Sequence, residues 1–366
     1  VIVAIGCFIL SGLGWYLMWR IPTATPSNPI PSGTWERVSI VIPARNEEHR
    51  IAPLLRSIQD QPHPIGEILV IDDESTDGTA EIARSLGATV VPSRPLPSGW
   101  RGKSWASHQG AQVAKGDILV FLDADTSLEP GGLDRLLATF LEDKTPLSVQ
   151  PYHRMQRPYE QLSILFNTVV MMSSNQYTPL GRRLRPRVFY GPCQIMTKSD
   201  YDTIGGHEQV RSTVLEDIAI GKRFLDEGIP IRSIAGRGAI SFRMYPDGVS
   251  DIVQGWSKNF ATGAASIGVF NTVLVSLWLT GMIGIGILSW FYLGSQASLF
   301  AALYLLYGVQ LYWIGRRIGS FSLGLILFHP LVGIFFTLVF LNSIHKTVFR
   351  RNVQWKGRDI PTKEEI

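Results

Sequence analysis

The sequence predicts an α/β domain on a mostly parallel sheet, carrying apolar helices able to enter a membrane at both ends. Three observations lead there. Between residues 38 and 141, apolar runs suited to buried strands alternate with amphipathic helical stretches. Two of those runs, 68–71 and 118–122, end in acidic residues, Asp72-Asp73 and Asp123-Ala124-Asp125. Uncharged apolar sequence gathers at the ends of the 366-residue chain, at 1–19, 267–293, 297–314 and 321–341.

Taken in order, residues 1–20 read as an N-terminal transmembrane helix. The run approaches the ~20 residues a span requires, and Trp15, Tyr16 and Trp19 near its end suit the membrane interface. A signal peptide is the alternative, but the run has no basic start and no clean small-x-small site after it. Arg20 then places the downstream chain in the cytoplasm by the positive-inside rule. Residues 21–37, with Pro22, Pro26, Pro29 and Pro31, form a linker. A strand is expected at 38–42. A helix at 48–60 comes after it, with Ile51, Leu54, Leu55 and Ile58 at helical spacing. Next come a strand at 67–71, a helix at 79–86 that Asp77 can cap, a strand at 89–91, a helix at 104–114, a strand at 118–122 and a helix at 132–141. Such alternation implies right-handed crossovers. After Pro146 the pattern changes: 159–177 is apolar and Met-rich, 191–197 is a loop entering a strand, 218–227 a helix following Glu216-Asp217, and 250–264 a membrane-proximal helix. The α/β domain thus covers 38–265, a membrane region 266–345 and a basic cytoplasmic tail 346–366. Three full spans in 266–345 would place the tail outside, against the positive-inside rule. His329-Pro330 sits at the centre of the last run, where proline breaks helices and a polar ring is costly in lipid. A re-entrant or kinked hairpin is therefore expected there.

A net charge of +4 is too small for a nucleic-acid binder. The basic clusters at 182–187, at Arg316-Arg317 and in the tail suit anionic lipid heads or plain solvation. Cys7 and Cys193 are the two cysteines, too distant in role to bridge, which fits a reduced cytoplasmic setting. No Cys/His spacing suits zinc, and His108, His153 and His207 read as core or solvated side chains.

In open α/β sheets, ligands bind at the carboxyl ends of strands. The outer carboxylates of Asp123-Ala124-Asp125 leave their strand in the same direction. Together they suit a hard divalent cation, Mg²⁺ or Mn²⁺, that leaves positions for phosphate oxygens; taken alone, the triplet also reads as a solvated turn. Asp73 suits a base N–H or a ribose hydroxyl. Pro43-Ala44-Arg45-Asn46-Glu47 forms the first strand-to-helix turn, with Glu47 facing a ribose and Arg45 bracing Asp73 or another acidic loop. Gly99-Trp100-Arg101-Gly102-Lys103 is a glycine-bearing loop before a helix, suited to phosphate. There Lys103 can meet a diphosphate or the sugar, or be a solvated turn residue.

The ordered set Val38-Ser39-Ile40-Val41-Ile42-Pro43-Ala44-Arg45-Asn46-Glu47-Glu48, Asp72-Asp73-Glu74-Ser75-Thr76-Asp77-Gly78-Thr79 and Asp123-Ala124-Asp125 resembles the inverting family 2 glycosyltransferases of the GT-A fold, over roughly 38–260. Residues 95–106, 255–259 and Trp355-Lys356-Gly357-Arg358 look like the carotenoid-glycosylating branch, the diaponeurosporenoate glucosyltransferases, with hopanoid-associated relatives similar. The resemblance implies a GT-A nucleotide-sugar-binding fold and a hexosyltransferase. It gives Asp73 to the base of a UDP-sugar and sets Asp123 and Asp125 on Mg²⁺ or Mn²⁺. Glu216-Asp217 matches the family's E-D motif, which makes Asp217 the base and Glu216 the weaker candidate; helix capping is the alternative. Gln254-Gly255-Trp256-Ser257-Lys258 stands where processive relatives carry Q-x-x-R-W, and the missing R-W argues against a chain-threading synthase. Gln254, Trp256 and Lys258 are expected at the acceptor, Trp256 by stacking or as an interfacial anchor. The expected function is inverting, metal-dependent transfer to a membrane lipid, a carotenoid, approaching along 159–172 and the Trp256 region. The enzyme is expected to be multi-pass in the cell membrane with its catalytic domain cytoplasmic. A processive synthase, a polyprenyl-phosphate or hopanoid glycosyltransferase, and a non-catalytic nucleotide-sugar binder stay open as alternatives, as does a hydroxyl or carboxyl acceptor.

Overall fold

The computed structural model describes residues 1–24, 29–266, 268–292, 294, 296–346, 352–355 and 358–361. The chain opens with helix α1 (Ile2–Leu17). It then runs β1 (Val38–Ala44), α2 (Ile51–Gln59), β2 (Glu67–Asp72), α3 (Thr79–Ser85), β3 (Thr89–Pro92), α4 (Gly102–Val113), β4 (Ile118–Leu122), β5 (Thr126–Leu128), α5 (Gly132–Leu141), β6 (Leu147–Gln150) and β7 (Tyr152–His153). Beyond these lie α6 (Ile164–Met172), β8 (Cys193–Thr197), α7 (Lys198–Thr203), α8 (Glu216–Asp226), β9 (Arg232–Ala235) and β10 (Ile240–Phe242). Helices α9 (Val249–Ser266), α10 (Val269–Phe291), α11 (Ala297–Ile318) and α12 (Leu325–His345) complete the body.

A seven-stranded sheet runs in the order β3-β2-β1-β4-β8-β6-β9. Strand β1 pairs in parallel with both β2 and β4, and β6 with β9. Strand β8 is antiparallel to β4 and β6. The order reverses about β1, so a crevice opens at the carboxyl ends of β1, β2 and β4. The period of two sorts the core into two layers. Ile40, Ile42, Val120 and Leu122 pack with Leu54, Ile58, Leu136 and Phe140 of α2 and α5. Val41, Leu119 and Phe121 pack on the other face with Ala106 of α4 and Ile220 and Phe224 of α8. Gly110 lets α4 lie directly on Val41, where a Cβ would collide with its methyl.

Among the described residues, α10, α11 and α12 are long and apolar enough to cross a membrane. At ~1.5 Å per residue the 23 residues of α10 span ~35 Å, against ~30 Å of hydrocarbon. Helix α1 is shorter, at 16 residues. It is tied into the bundle: Tyr307 Oη donates to the Cys7 carbonyl (2.8 Å) and Gln310 Nε2 to the Ser11 carbonyl (2.8 Å). Trp278 Nε1 donates to Gln310 Oε1 (2.8 Å).

The expected break at His329-Pro330 is absent, for Pro330 lies inside the continuous helix α12. Proline cannot donate to the carbonyl four residues back. Here that carbonyl, Ile326 O, lies 3.2 Å from His329 Nδ1 and accepts from its N–H tautomer. The ring of Pro330 fits over Gly286, where a Cβ would clash with it. Both flanks of α12 meet the α/β half. Ser320 N donates to the His153 carbonyl (2.9 Å) and Ser322 N to Gln161 Oε1 (2.9 Å). Near the other end, Asn342 Nδ2 donates to Ser257 Oγ of α9 (2.9 Å). In the expected tail, strands Asn352–Trp355 and Arg358–Pro361 pair antiparallel, while Lys356 and Gly357 lie outside the described residues.

Candidate active site

The loops after β1 and β2 are laced together by the residues that make their sequences distinctive. Asn46 N donates to Ser75 Oγ (3.0 Å), Thr76 N to Asn46 Oδ1 (2.9 Å), Glu47 N to Thr79 Oγ1 (2.7 Å) and Glu48 N to Asp77 Oδ2 (3.2 Å). Gly78 N, at the start of α3, donates to Glu48 Oε2 (3.0 Å). Asn46 and Glu74 adopt left-handed backbone, φ 53° and 56°, conformations that persist only when surroundings hold them. Arg45 Nη1 donates to the Asp73 carbonyl (2.5 Å) and stands 3.8 Å from its Oδ2 and 3.4 Å from Glu74 Oε2. Arg45 thus braces a buried Asp73.

A cleft of about 210 Å³ opens over these loops, lined by Pro43, Ala44, Arg45, Glu47, Asp73, Lys103, Asp123 and Asp125 among others. The expected donor and metal residues therefore share one wall. Lys103 Nζ lies 2.7 Å from Asp123 Oδ1 and 3.4 Å from Glu216 Oε1. Burial works against its charge, but Asp123, Glu216 and Asp217 together hold it firmly protonated.

A small recess beside the cleft is lined by Pro43, Lys103, Asp123, Gly191, Gln194, His207, Glu216 and Asp217. Glu216 and Asp217 occupy the first turn of α8 rather than the stretch before it. Asp217 Oδ1 accepts from the adjacent Ile218 N (2.9 Å), but the cap position is Leu215 and no side chain caps α8 there, so the capping alternative does not hold. Gly191 leaves room for it: a Cβ there would stand 2.9 Å from Asp217 Oδ2. Burial, and then Glu216, push the Asp217 carboxyl up to about 7, while Lys103 pulls it down.

Burial, Asp123 and Glu47 push Asp125 up to about 6, with Arg50 and Lys103 opposing. The carboxylates of Asp123 and Asp125 are hard oxygen donors of the kind a divalent cation takes, with the Lys103 ammonium standing on Asp123 Oδ1. Among the described residues no set of three His, Cys, Asp or Glu side chains converges on one metal position.

The expected acceptor residues fall elsewhere. Trp256 is buried and does not present a face to an acceptor. It stacks on Phe166 (4.9 Å between ring centroids, 12° between planes) and its Nε1 donates to Ser163 Oγ (3.2 Å). Residues 159–172 do not form an open ramp either, because Ile164, Leu165, Phe166, Met171 and Met172 are buried against the apolar helices. Gln254 is exposed and donates to Ser250 Oγ within its own helix (3.1 Å). The side chain of Lys258 lies outside the described residues. His207 and His153 are core histidines; His207 Nδ1 lies 2.9 Å from Tyr201 Oη, and burial pushes each ring down to about 3.

Three contributors were not singled out in the sequence. Arg50 lines the cleft, Gln194 lines the recess, and Tyr245, at φ 53°, lies near enough to Asp125 for that charge, after burial and Asp251, to raise its phenol. A basic residue three positions after Glu47 was a usable signal for Arg50; Gln194 and Tyr245 had none.

The family model for glycosyl transferase family 2 matches residues 39–205. The 4,4'-diaponeurosporenoate glycosyltransferase of Staphylococcus haemolyticus is 35% identical over 339 residues, covering 90% of this chain and 90% of that one. The protein of the same name from Staphylococcus aureus is 37% identical over 335 residues, covering 90% and 89%. Among solved structures, the mannosyltransferase PcManGT from Pyrobaculum calidifontis, in complex with GDP-Man and Mn²⁺, superposes with a TM-score of 0.55 at 16% identity, covering 95% of this chain and 99% of that one. That likeness identifies the architecture as GT-A. An identity of this order, sustained along nine-tenths of both chains, places the protein in glycosyl transferase family 2, as a glycosyltransferase like those of the diaponeurosporenoate branch.

Proposed function

We propose that the protein transfers a sugar, with inversion and with the help of a divalent cation, from a nucleoside diphosphate sugar to a membrane lipid of the carotenoid class. The observation that carries this reading is that Lys103 joins Asp123, at the end of β4, to Glu216 beside Asp217 on α8. Donor-side and acceptor-side carboxylates therefore face one small space. The similarity to 4,4'-diaponeurosporenoate glycosyltransferases supports the acceptor class.

In this reading the laced loops after β1 and β2 hold the base and ribose, with Asp73 accepting from a uracil N–H and Glu47 from a ribose hydroxyl. Asp123 and Asp125 would hold Mg²⁺ or Mn²⁺, which when bound supplies Lewis-acid charge to the departing diphosphate. Lys103 orients the diphosphate end of the donor. The acceptor oxygen attacks the anomeric carbon from the face opposite the leaving group. The new C–O bond forms as the old one breaks, and its electron pair departs with the nucleoside diphosphate. Asp217 takes the proton of a hydroxyl acceptor at its carboxylate, and a pKa near the working pH suits that task. A carboxyl acceptor arrives ionised and needs no proton removed. Helices α10 to α12 keep this centre at a membrane, with the catalytic domain on the cytoplasmic side, where Arg20 favours it.

The test incubates membranes containing the protein with labelled UDP- and GDP-sugars and a carotenoid extract, followed by mass analysis. A single hexose added to a carotenoid, lost in EDTA, is the expected result. Hexose oligomers, or release of free sugar alone, would defeat it.

A further inference from the structure

A cavity of about 710 Å³, larger than the donor cleft, lies against α8. Its size is within the ~300–1,000 Å³ usual for small-molecule sites. Neither Glu216 nor Asp217 lines it, so it stands apart from the transfer step. Arg101, Arg185, Arg187 and Lys222 line it, against a single acidic residue, Asp226. Arg185 and Lys222 both pair with that carboxylate. Arg101 Nε donates to the Ser212 carbonyl (2.7 Å). Arg187 is exposed and stands in no ion pair among the described residues. The cavity therefore keeps a surplus of positive charge.

Its cationic edge meets the apolar helices. The Arg187 guanidinium lies against Gly268, immediately before α10, where a Cβ would stand 2.0 Å from Nη1. No side chain caps α10, so its first N–H groups add partial positive charge on the same spot. The next residues, Val269 and Phe270, are 81% and 70% exposed. They open a helix long and apolar enough to cross a membrane, and exposed apolar side chains at such a helix end suit lipid tails. Within one turn of α10, a cationic surface thus gives way to an apolar one. A phospholipid presents the complementary sequence, an anionic phosphate followed by acyl chains.

We propose that this cavity is a binding site for an anionic phospholipid. The phosphodiester pairs with Arg187 at the mouth, the headgroup projects into the cavity towards Thr213, and the acyl chains leave along Val269 and Phe270. Guanidinium forks match phosphate oxygens, and basic residues beside a membrane draw anionic lipid to them. A zwitterionic headgroup would bring its own cation into a space already lined by Arg101 and Lys222 and is disfavoured by like charge. The bound lipid ties α8 and the 185–187 segment to the foot of α10.

The test titrates the full chain, in neutral detergent, with dioleoyl phosphatidylglycerol or dioleoyl phosphatidylcholine and follows thermal unfolding, since a ligand of the native state raises the melting temperature. Phosphatidylglycerol should raise it at low mole fraction, and phosphatidylcholine should not. Arg187→Gln should increase the half-maximal mole fraction about tenfold, the scale of one charge-assisted contact, and Arg187→Lys should recover part of that loss. Thr213→Glu puts a carboxylate inside the cavity and should weaken the lipid to a similar degree. Arg183 is exposed on the same basic run but does not line the cavity. Arg183→Gln should therefore leave the mole fraction within about twofold, which separates a built site from the general pull of a basic surface. Unfolding without lipid should stay cooperative in every variant, which certifies folding. An equal response to the two lipids overturns the proposal, as do equal losses in Arg183→Gln and Arg187→Gln. Stabilisation by sn-glycerol 3-phosphate at the lipid's own concentration also overturns it, by making the cavity a site for a soluble phosphate.

Discussion

Lys103 Nζ stands 2.7 Å from Asp123 Oδ1, and the same ammonium reaches Glu216 at 3.4 Å. One cation thus ties the end of β4 to the start of α8 across the cleft. Lys103→Met should raise the KM for the nucleotide sugar by tenfold or more, about the scale of a lost charge-assisted contact. It should also move the acidic limb of the pH–rate profile upward, because Lys103 holds the Asp217 carboxyl down. Lys103→Arg should keep the limb in place. A Met variant with an unmoved limb would show that Lys103 and Asp217 are not electrically joined.

Asp123 and Asp125 carry the second prediction. Asp123→Ala and Asp125→Ala should each lower transfer by roughly 10²-fold or more, the scale of losing one electrostatic anchor of a transition state. Asp125→Ala should not lower the melting temperature of the metal-free protein, since Asp125 is held against its own charge by burial and by Asp123 and Glu47, whereas Asp123→Ala removes the partner of Lys103 and should lower it. Adding Mn²⁺ should stabilise the native protein and not the variants. Thermal shifts with and without Mn²⁺ decide this independently of turnover.

The carboxyl of Asp217, raised to about 7, predicts two linked pH effects. Turnover with a hydroxyl acceptor should climb as pH rises through about 7, where the base becomes available, and Asp217→Asn should cut it about 10²–10⁴-fold. Stability runs the other way. A folded-state pKa raised above the unfolded ~3.9 means that the native state keeps its proton longer, so stability is fully present below pH ~4 and is lost as pH climbs towards about 7. Asp217→Asn lacks that loss. Its melting temperature should match the native protein's near pH 4 and exceed it near pH 8, by roughly 1–3 kcal/mol of stability after solvent screening. Equal melting curves at pH 8 would show that the carboxylate is not strained.

The range of the forces explains why some of this was legible and some was not. The strand runs ending in Asp72 and Asp123 were readable because a buried strand has a local signature and its carboxyl end is a predictable place for a ligand. The lacing of Asn46, Glu47 and Glu48 onto Ser75, Asp77 and Thr79 left a local trace in two polar loops after strands. Strand β8 was legible only as a strand entered from a loop at 191–197, since its antiparallel return between β4 and β6 depends on partners far along the chain. Trp256 was misread for a similar reason: a tryptophan on an amphipathic helix looks the same facing lipid, a ligand or Phe166. Tyr245 and Gln194 meet the site only in three dimensions and carry no spacing to betray it.

His329 shows the same limit inside the bundle and yields the fourth prediction. His329→Leu removes the Nδ1 donor from the Ile326 carbonyl and should cost about 1–3 kcal/mol, as an orphaned buried acceptor does. Adding Pro330→Ala restores a backbone N–H for that carbonyl and should return most of the loss. Thermal unfolding in detergent of the native, single and double variants measures it. A double variant as unstable as His329→Leu would mean that the histidine does something other than satisfy Ile326.

The last prediction concerns which side of the membrane the chain returns to. Counting α10, α11 and α12 as three full spans puts Lys346 opposite the catalytic domain, against the positive-inside rule. The contacts favour a different count. Ser320 and Ser322, before α12, bond to His153 and Gln161; Asn342, near its end, bonds to Ser257 on α9, and Phe336 and Phe340 pack on Phe260 of the same helix. A helix anchored to the catalytic half at both ends need not cross the bilayer completely, and the basic residues after it then stay with that half. In cells, a Lys346→Cys variant should resist an impermeant maleimide added from outside and react once the membrane is opened. Cys7 and Cys193 are buried and should give little background. Labelling of intact cells at that position would establish three complete crossings and put the chain end on the far side of the membrane from the donor cleft.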